Sequence, residues 1–315
     1  MKIAIIGATS QIAKDMIARF SDEHALLLFS RKANDVKDYM DAMCYTNYLS
    51  FNYKVLEGRQ FYVDAVINFV GAGDPARVGA LKDGIFDVTK KYDDLALKFM
   101  RRPNTKYIFI SSGAAYGGTF DKPVRYGEKI TYPQEITPQH YYGLAKWLAE
   151  VKHRTLFQHH IVDLRIFNYV SHTQSLESKF LLTELLRAIV RQRGIDATPY
   201  AVDYTDLWRD YIGPDDLFQM IDCILAAPGF NGAVDAYTKA PIDKHTLLEE
   251  LHKRYGLHFA YIERIVQAPT GVKPKYYSEN YAAAKLGYQP QMTSLETIFK
   301  EADQLLERYD PGSES

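Results

Sequence analysis

The chain has 315 residues, 47% of them hydrophobic and 24% charged, with a net charge of -1. That length predicts one large α/β unit with an appended lobe, or two domains, and the near-neutral charge removes any general attraction to nucleic acid or anionic membrane. Cys44 and Cys223 stand far apart without CxxC or metal-like spacing, which predicts free or buried thiols in a reducing cytoplasm, with no disulfide framework and no metal site.

In chain order, the first predicted element is the strand KIAIIG. The apolar run Ile3 to Ile6 is too short for the core of a signal peptide. No segment approaches a membrane span, so a soluble, cytoplasmic protein is expected. Ile12, Met16, Ile17 and Phe20 then recur at helical spacing, and ALLLF (25 to 29) supplies a second buried strand. A third, aromatic and polar strand is placed near Tyr48 to Tyr53. Further strands are predicted at AVINFVG (65 to 71), KYIFISS (106 to 112) and HIVDLRIF (160 to 167), with helices near 83 to 101 and 139 to 158 between them. Apolar runs alternating with amphipathic stretches are the pattern of a parallel sheet covered by helices on both faces, a Rossmann-type doubly wound α/β fold. Beyond residue 168 a long connection, a helix over 176 to 193, shorter elements, a last helix over 293 to 308 and a frayed polar tail PGSES are expected. The division predicted is a dinucleotide-binding domain over 1–167 and a mainly substrate-binding lobe over 168–315, some of whose segments return to the sheet. No linker rich in Pro, Gly or Ser separates the two, so the second packs against the first.

Chemistry first shows at GATSQIA, directly after the first strand. Gly7, Ser10 and Ala13 are small residues at three-residue spacing, where a pyrophosphate needs a tight turn, close backbone approach and free N–H groups at a helix start. A plain strand-turn-helix start is the alternative. Ser30, Arg31 and Lys32 follow the second strand, where an NAD-binding unit presents an acidic residue to the ribose. A guanidinium can pair with a 2′-phosphate, so NADP(H) is favoured, with NAD(H) as the alternative. HYYGLAK (140 to 146) places Tyr142 and Lys146 four residues apart on one helical face, a spacing that alone does not separate chemistry from packing.

Four ordered segments decide between these readings. YIFISSGAAYG (107 to 117), LRIFNYV (164 to 170), RDYIGPDDL (209 to 217) and AAKLGYQP (283 to 290) each resemble an element of the extended short-chain dehydrogenase/reductases, which include nucleotide-sugar epimerases, dehydratases and reductases. The resemblance spans nearly the whole chain. It implies Ser112, Tyr142 and Lys146 as catalytic residues, Tyr141 being a neighbour. In that arrangement Lys146 would draw the Tyr142 phenol down from its ordinary value near 10 and hold the nicotinamide ribose, while Ser112 would hold the substrate oxygen. The candidate cofactor contacts are Gly7, Thr9, Ser10, Gln11, Ile12, Ser30, Arg31, Val70, Gly71 and Lys146. The candidate substrate contacts are Ser112, Asn168 and Arg209, the last at a diphosphate. An Arg209 ion pair with Asp210 or Asp215 is the plainer alternative. Family members often place a second arginine for the diphosphate near the C-terminus, where this chain has TGVKPKYY, with Lys273 and Lys275.

Family 4,6-dehydratases carry an Asp-Glu pair after the catalytic hydroxyl residue, and this chain has Gly113 and Ala114 there, which argues against dehydration. Together with Ser30-Arg31 the resemblance implies an NADP(H)-dependent reductase of a nucleotide-activated keto-sugar, such as a 4-keto-6-deoxyhexose. A nucleotide-sugar C4 epimerase, a small-carbonyl reductase and a non-catalytic dinucleotide-sensing protein remain as alternatives. A nucleotide-sugar substrate is implied, no nucleic acid or membrane partner is expected, and a homodimer is left open.

Overall fold

The computed structural model describes residues 1–71, 75–194, 196–263 and 272–309. The PGSES tail and Thr270–Gly271 lie outside them. The first half runs β1 (Lys2–Ile6), α1 (Gln11–Phe20), β2 (Ala25–Ser30), α2 (Ala33–Ala42), β3 (Tyr48–Asn52), α3 (Val55–Gly58), β4 (Ala65–Asn68), α4 (Pro75–Leu81), α5 (Gly84–Leu97), β5 (Lys106–Ser112), α6 (Pro138–Thr155) and β6 (His160–Ile166). The second runs β7 (Asn168–Tyr169), α7 (Leu181–Arg193), β8 (Tyr200–Val202), β9 (Trp208–Arg209), β10 (Tyr211–Ile212), α8 (Pro214–Ala226), β11 (Gly232–Asp235), β12 (Ile242–Asp243), α9 (Lys244–Tyr255), β13 (Phe259–Tyr261), β14 (Lys275–Tyr276) and α10 (Ser294–Glu307).

Seven strands form one parallel sheet in the order β11-β6-β5-β4-β1-β2-β3. Alternation along β1 sends Ile3 and Ile5 into the core shared with α1 and α8, and Ala4 and Ile6 into the core facing α5 and α6. Both faces are covered, as a parallel sheet requires. Strand order reverses between β1 and β4, and their carboxyl ends open the crevice where doubly wound sheets take ligands. A separate core of Leu185, Leu186, Leu248, Leu251, Ile298 and Leu305 joins α7, α9 and α10. Beside it lie the short pairings β7–β10, β8–β13 and β12–β9–β14.

The second half holds more regular structure than its sequence pattern suggests. Helices α8 and α9 have 13 and 12 residues, and β11 completes the main sheet beside β6. The helix expected from 176 begins at Leu181. Both cysteines are free, and Cys44 is exposed rather than buried.

Candidate active site

The turn after β1 is built for close approach. Gly7 has φ +86°, and a Cβ there would come within 2.8 Å of Val70 Cγ2. The N–H groups of Gly7 and Ala8 donate to Phe29 O at 3.0 and 3.1 Å, locking the turn to β2. Ser10 caps α1, its Oγ accepting from Ala13 N–H at 3.3 Å. The Gln11 and Ile12 N–H groups belong to the first helical turn, which has no intrahelical acceptors for them, so they are available to an anion. Thr9 is exposed, and Gln11 and Ile12 are partly so. A narrow glycine turn leading into a capped helix fits a dinucleotide pyrophosphate.

At the end of β2, Ser30 is buried and accepts from Lys32 N–H at 3.1 Å, whereas the Arg31 side chain is exposed. Asn52 Nδ2 donates to Arg31 O at 2.8 Å, and Lys32 pairs with Asp35. Among the described residues Arg31 has no carboxylate partner. Across the crevice, Asn68 at the end of β4 holds Val70 N–H at 3.0 Å. Lys146 reaches the same loop: a Cβ on Gly71 would lie 3.1 Å from its Nζ.

Helix α6 begins at Pro138, with Thr137 N–H donating to His140 Nδ1 at 3.1 Å. It presses against the turn after β5 at Gly143, where a Cβ would meet Ala114 O at 2.2 Å. A larger residue at 143 would push the helix away, and with it Tyr142. Ser112 therefore lies beside Tyr142, its hydroxyl favouring the ionised phenol. Tyr141 turns aside onto Phe86, 5.4 Å between ring centroids. Lys146 is buried, donates to Ile110 O at 2.8 Å and lies 4.5 Å from the centre of the Phe109 ring.

The electrostatics differ from the sequence expectation. Burial raises the Tyr142 phenol above its ordinary value, and the neighbouring Ser112 hydroxyl pulls only partly the other way. Lys146, brought to about 8, gives up its proton before a phenol raised above 10 ionises, so no ammonium remains to draw Tyr142 down at that point. Burial brings Lys146 down to about 8, opposed by the charges of Glu150, Asp93 and Asp163.

One residue here escapes the sequence reading. Tyr276, in β14, is buried and its OH lies 3.1 Å from Ser112 Oγ, so three hydroxyls converge. Its only sequence signal is a Tyr-Tyr pair in a segment where the lysines draw the eye. Strand β14 pairs with β9, setting Tyr276 opposite Arg209. Arg209 lies 5.8 Å and Lys273 Nζ 4.9 Å from the Tyr276 ring centre.

Arg209 pairs with neither Asp210 nor Asp215. Asp210 is buried and accepts from Thr238 and Ser294, while Asp215 pairs with Arg19 and Lys300. Arg209 instead donates to Trp208 O and Lys273 O at 2.7 and 2.8 Å. Of the two lysines, Lys275 pairs with Asp206 at 2.7 Å, but Lys273 has no carboxylate partner among the described residues. Burial, together with repulsion from Arg209, brings Lys273 down to about 8. Asn168 Nδ2 donates to Asp210 O and Tyr276 O at 3.2 and 3.4 Å, which ties it to the backbone beside Arg209 and Tyr276.

A doubly wound sheet with a glycine turn at its switch point is the architecture of Rossmann-type dinucleotide-binding proteins. The sequence model of the NAD dependent epimerase/dehydratase family matches residues 3–238, and the chain belongs to that family as an NAD(P)-dependent enzyme. No curated protein matches the sequence significantly. Among solved structures the chain is similar to UDP-N-acetylglucosamine 4-epimerase from Methanobrevibacter ruminantium in complex with UDP-N-acetylmuramic acid, at TM-score 0.80 and 13% identity, over 98% of each chain. It is also similar to UDP-glucuronic acid 4-epimerase from Bacillus cereus in complex with UDP-glucuronic acid and NAD, at TM-score 0.77 and 16% identity, over 98% of this chain and 100% of that one. A third is dTDP-glucose 4,6-dehydratase from Bacillus anthracis in complex with NAD, at TM-score 0.74 and 14% identity, over 98% and 97%. Among the described residues no helix is long and apolar enough to cross a membrane.

Proposed function

We propose that this enzyme acts on a nucleoside-diphosphate sugar by moving a hydride at a ring carbon, with Ser112, Tyr142 and Lys146 as its catalytic residues. The observation that carries this reading is the arrangement about Tyr276: its hydroxyl meets Ser112, while Arg209 and Lys273 lie over its ring. Two cations packed together without a carboxylate are unfavourable unless a dianion joins them, and a diphosphate is such a dianion. The sugar would extend from there to Ser112.

A bound nicotinamide cofactor supplies the hydride acceptor or donor. Ser112 holds the reacting oxygen, and Tyr142 takes or gives its proton. Burial keeps the Tyr142 phenol neutral, which suits the proton-donating direction. Lys146, kept chargeable by Glu150, Asp93 and Asp163, holds the ribose at the Val70–Gly71 side. The Gly7–Ile12 cradle receives the pyrophosphate and Asn168 a sugar hydroxyl.

Similarity to UDP-sugar 4-epimerases supports epimerisation at C4. Net reduction of a keto-sugar by NADPH is the second reading, favoured by the exposed Arg31, which has no carboxylate partner among the described residues, and by the neutral Tyr142. Dehydration finds no support, because a Cβ at Gly113 would already lie 2.3 Å from the Phe167 ring, leaving no room for an acidic side chain. Exposed Leu148 and Val151 on α6 support a homodimer. The test is incubation with UDP-sugars and keto-sugars while absorbance of the reduced cofactor is followed. Interconversion without net cofactor change means epimerase, stoichiometric loss of NADPH means reductase, and equally fast reduction of unphosphorylated ketones would remove the nucleotide sugar from the proposal.

A further inference from the structure

A buried carboxylate outside all the residues assigned above joins the two sides of the crevice. Asp15 lies in α1, one turn beyond the cradle, and is 4% exposed. Tyr169 OH donates to its Oδ2 and Thr173 Oγ1 to its Oδ1, each at 2.7 Å. Both donors come from the segment that follows Asn168. A further link starts in the cradle itself, where Gln11 Nε2 donates to Thr173 Oγ1 at 3.4 Å.

Among the described residues no lysine or arginine pairs with Asp15. Arg19, one turn later, gives one Nη to the Asp15 backbone carbonyl and the other to Asp215. Two hydroxyls therefore satisfy a buried carboxyl group, and losing either leaves one of its oxygens unpaired. The segment is short and held at its other points: Tyr169 pairs with Ile212 across β7–β10, and His172 N–H and Nδ1 meet Glu301 Oε2 at 2.8 and 2.7 Å. Asn168, directly before Tyr169, touches the Tyr276 carbonyl. A path of direct contacts thus runs from the helix behind the pyrophosphate cradle to the hydroxyl cluster.

We propose that Asp15 is a positioning residue that couples the two ligand sites, by fixing the 169–173 segment, and Asn168 with it, to the cofactor helix. The inference rests on the functional reading above, in which the cradle takes a dinucleotide and the Asn168–Arg209 side takes a nucleoside diphosphate. Ordering the start of α1 with the first ligand then orders the strap for the second, and reciprocity makes the effect equal in both directions.

The experiment is calorimetric titration of UDP into the protein with and without saturating cofactor, using whichever of NAD+ or NADP+ binds. The wild-type protein should bind UDP roughly five- to a hundredfold more tightly with cofactor present. In Asp15→Asn, whose amide cannot accept from both hydroxyls as a carboxylate does, that ratio should fall toward one. Tyr169→Phe, a milder change that keeps the ring, should lower it as well and serves if Asp15→Asn does not fold. A merely structural Asp15 would lower the melting temperature or both affinities in parallel and leave the ratio unchanged, and that result overturns the proposal. A wild-type ratio of one also overturns it while sparing the functional reading. If the wild-type protein binds neither UDP nor cofactor, the functional reading itself falls.

Discussion

Lys273→Met removes one charge from the cation pair while keeping the aliphatic length, and its effects on folding and on binding have opposite signs. In the folded chain Lys273 titrates at about 8, against 10.5 for an ordinary lysine, because burial and Arg209 disfavour its charge. At about 1.36 kcal/mol per pH unit the difference corresponds to about 3 kcal/mol, an upper bound because water screens a partly exposed side chain. Below pH 8 both folded and unfolded chains carry the proton and the whole cost is present. Between about pH 8 and 10.5 the unfolded chain binds the proton more tightly, so this group makes stability rise with pH. Lys273→Met should therefore be more stable than wild type at pH 7, by about 1 to 3 kcal/mol in a urea melt, and should lose that advantage toward pH 10.5.

Binding runs the other way. A diphosphate beside Lys273 restores its proton, so at pH 8 UDP binding should take up roughly half a proton, and UDP affinity should fall by up to about tenfold per pH unit above 8. Calorimetry in two buffers of different ionisation heat measures the uptake. Lys273→Met should abolish it and weaken UDP roughly ten- to a hundredfold at pH 7, leaving cofactor affinity unchanged. Lys146 also titrates at about 8, but it lies on the cofactor side and its proton persists in the variant. UDP affinity that stays flat from pH 7 to 9 in the wild-type protein, or binding by Lys273→Met as tight as wild type, would refute the reasoning.

Tyr142→Phe should reduce turnover by a factor on the order of 10² or more with cofactor affinity, read by fluorescence titration, nearly intact. Tyr141→Phe should do little, since Tyr141 packs on Phe86, and greater damage from that variant would show the catalytic position to be off by one. Arg31→Ala should weaken NADPH roughly tenfold or more while sparing NADH, and equal affinity of the unmutated protein for both cofactors would sink the 2′-phosphate assignment. His153, buried between Asp163 at 2.6 Å and Asp93 at 2.8 Å, is held at about 9: burial lowers it, but the hydrogen bonds to both carboxylates outweigh burial. With its pKa raised above the unfolded 6.5, its contribution is complete below about pH 6.5 and is lost as pH rises through 9. The stability gap between wild type and His153→Gln, on the order of 1 to 3 kcal/mol at pH 6, should close by pH 10, and a pH-independent gap would show that His153 is not charged.

The main sheet is readable because strands buried on both faces become continuous apolar runs, as in KIAIIG and ALLLF. Strand β3 is faint for the matching reason: it is the edge strand, with one neighbour and half-exposed residues. The second lobe is opaque because β9, β10, β12 and β14 are two residues each, too short for any periodicity, and exist only through partners distant in sequence. Tyr142 and Lys146 lie one helical turn apart, a spacing any helix can carry, so Ser112, Tyr142 and Lys146 are legible through the family's ordered segments and not through local pattern. Tyr276 is not, since it arrives beside Ser112 from 164 residues away, and nothing local separates Lys273, facing Arg209, from Lys275, paired with Asp206. The direction of the Tyr142 shift is a sum over burial and neighbours, which no motif encodes.

Helix α6 shows why such a site resists periodicity. Its buried face carries Lys146, Glu150 and His153 among Gly143, Ala145 and Ala149, with Tyr142 half-buried ahead of them, while Leu148 and Val151 face outward at 49% and 43% exposure. Charged side chains share the buried face with small ones, and burying them is tolerable only if each charge finds a partner. Glu150 takes the Arg165 guanidinium and the Ser111 hydroxyl, the latter at 2.6 Å, while His153 bridges Asp93 and Asp163. Those same three carboxylates oppose the desolvation of Lys146. Without them burial would lower its ammonium further. The ionic scaffold that fixes α6 to the sheet is thus also what keeps Lys146 charged near neutral pH, so substitutions at Glu150 or His153 should reach the chemistry through Lys146 even though neither side chain lies in the crevice.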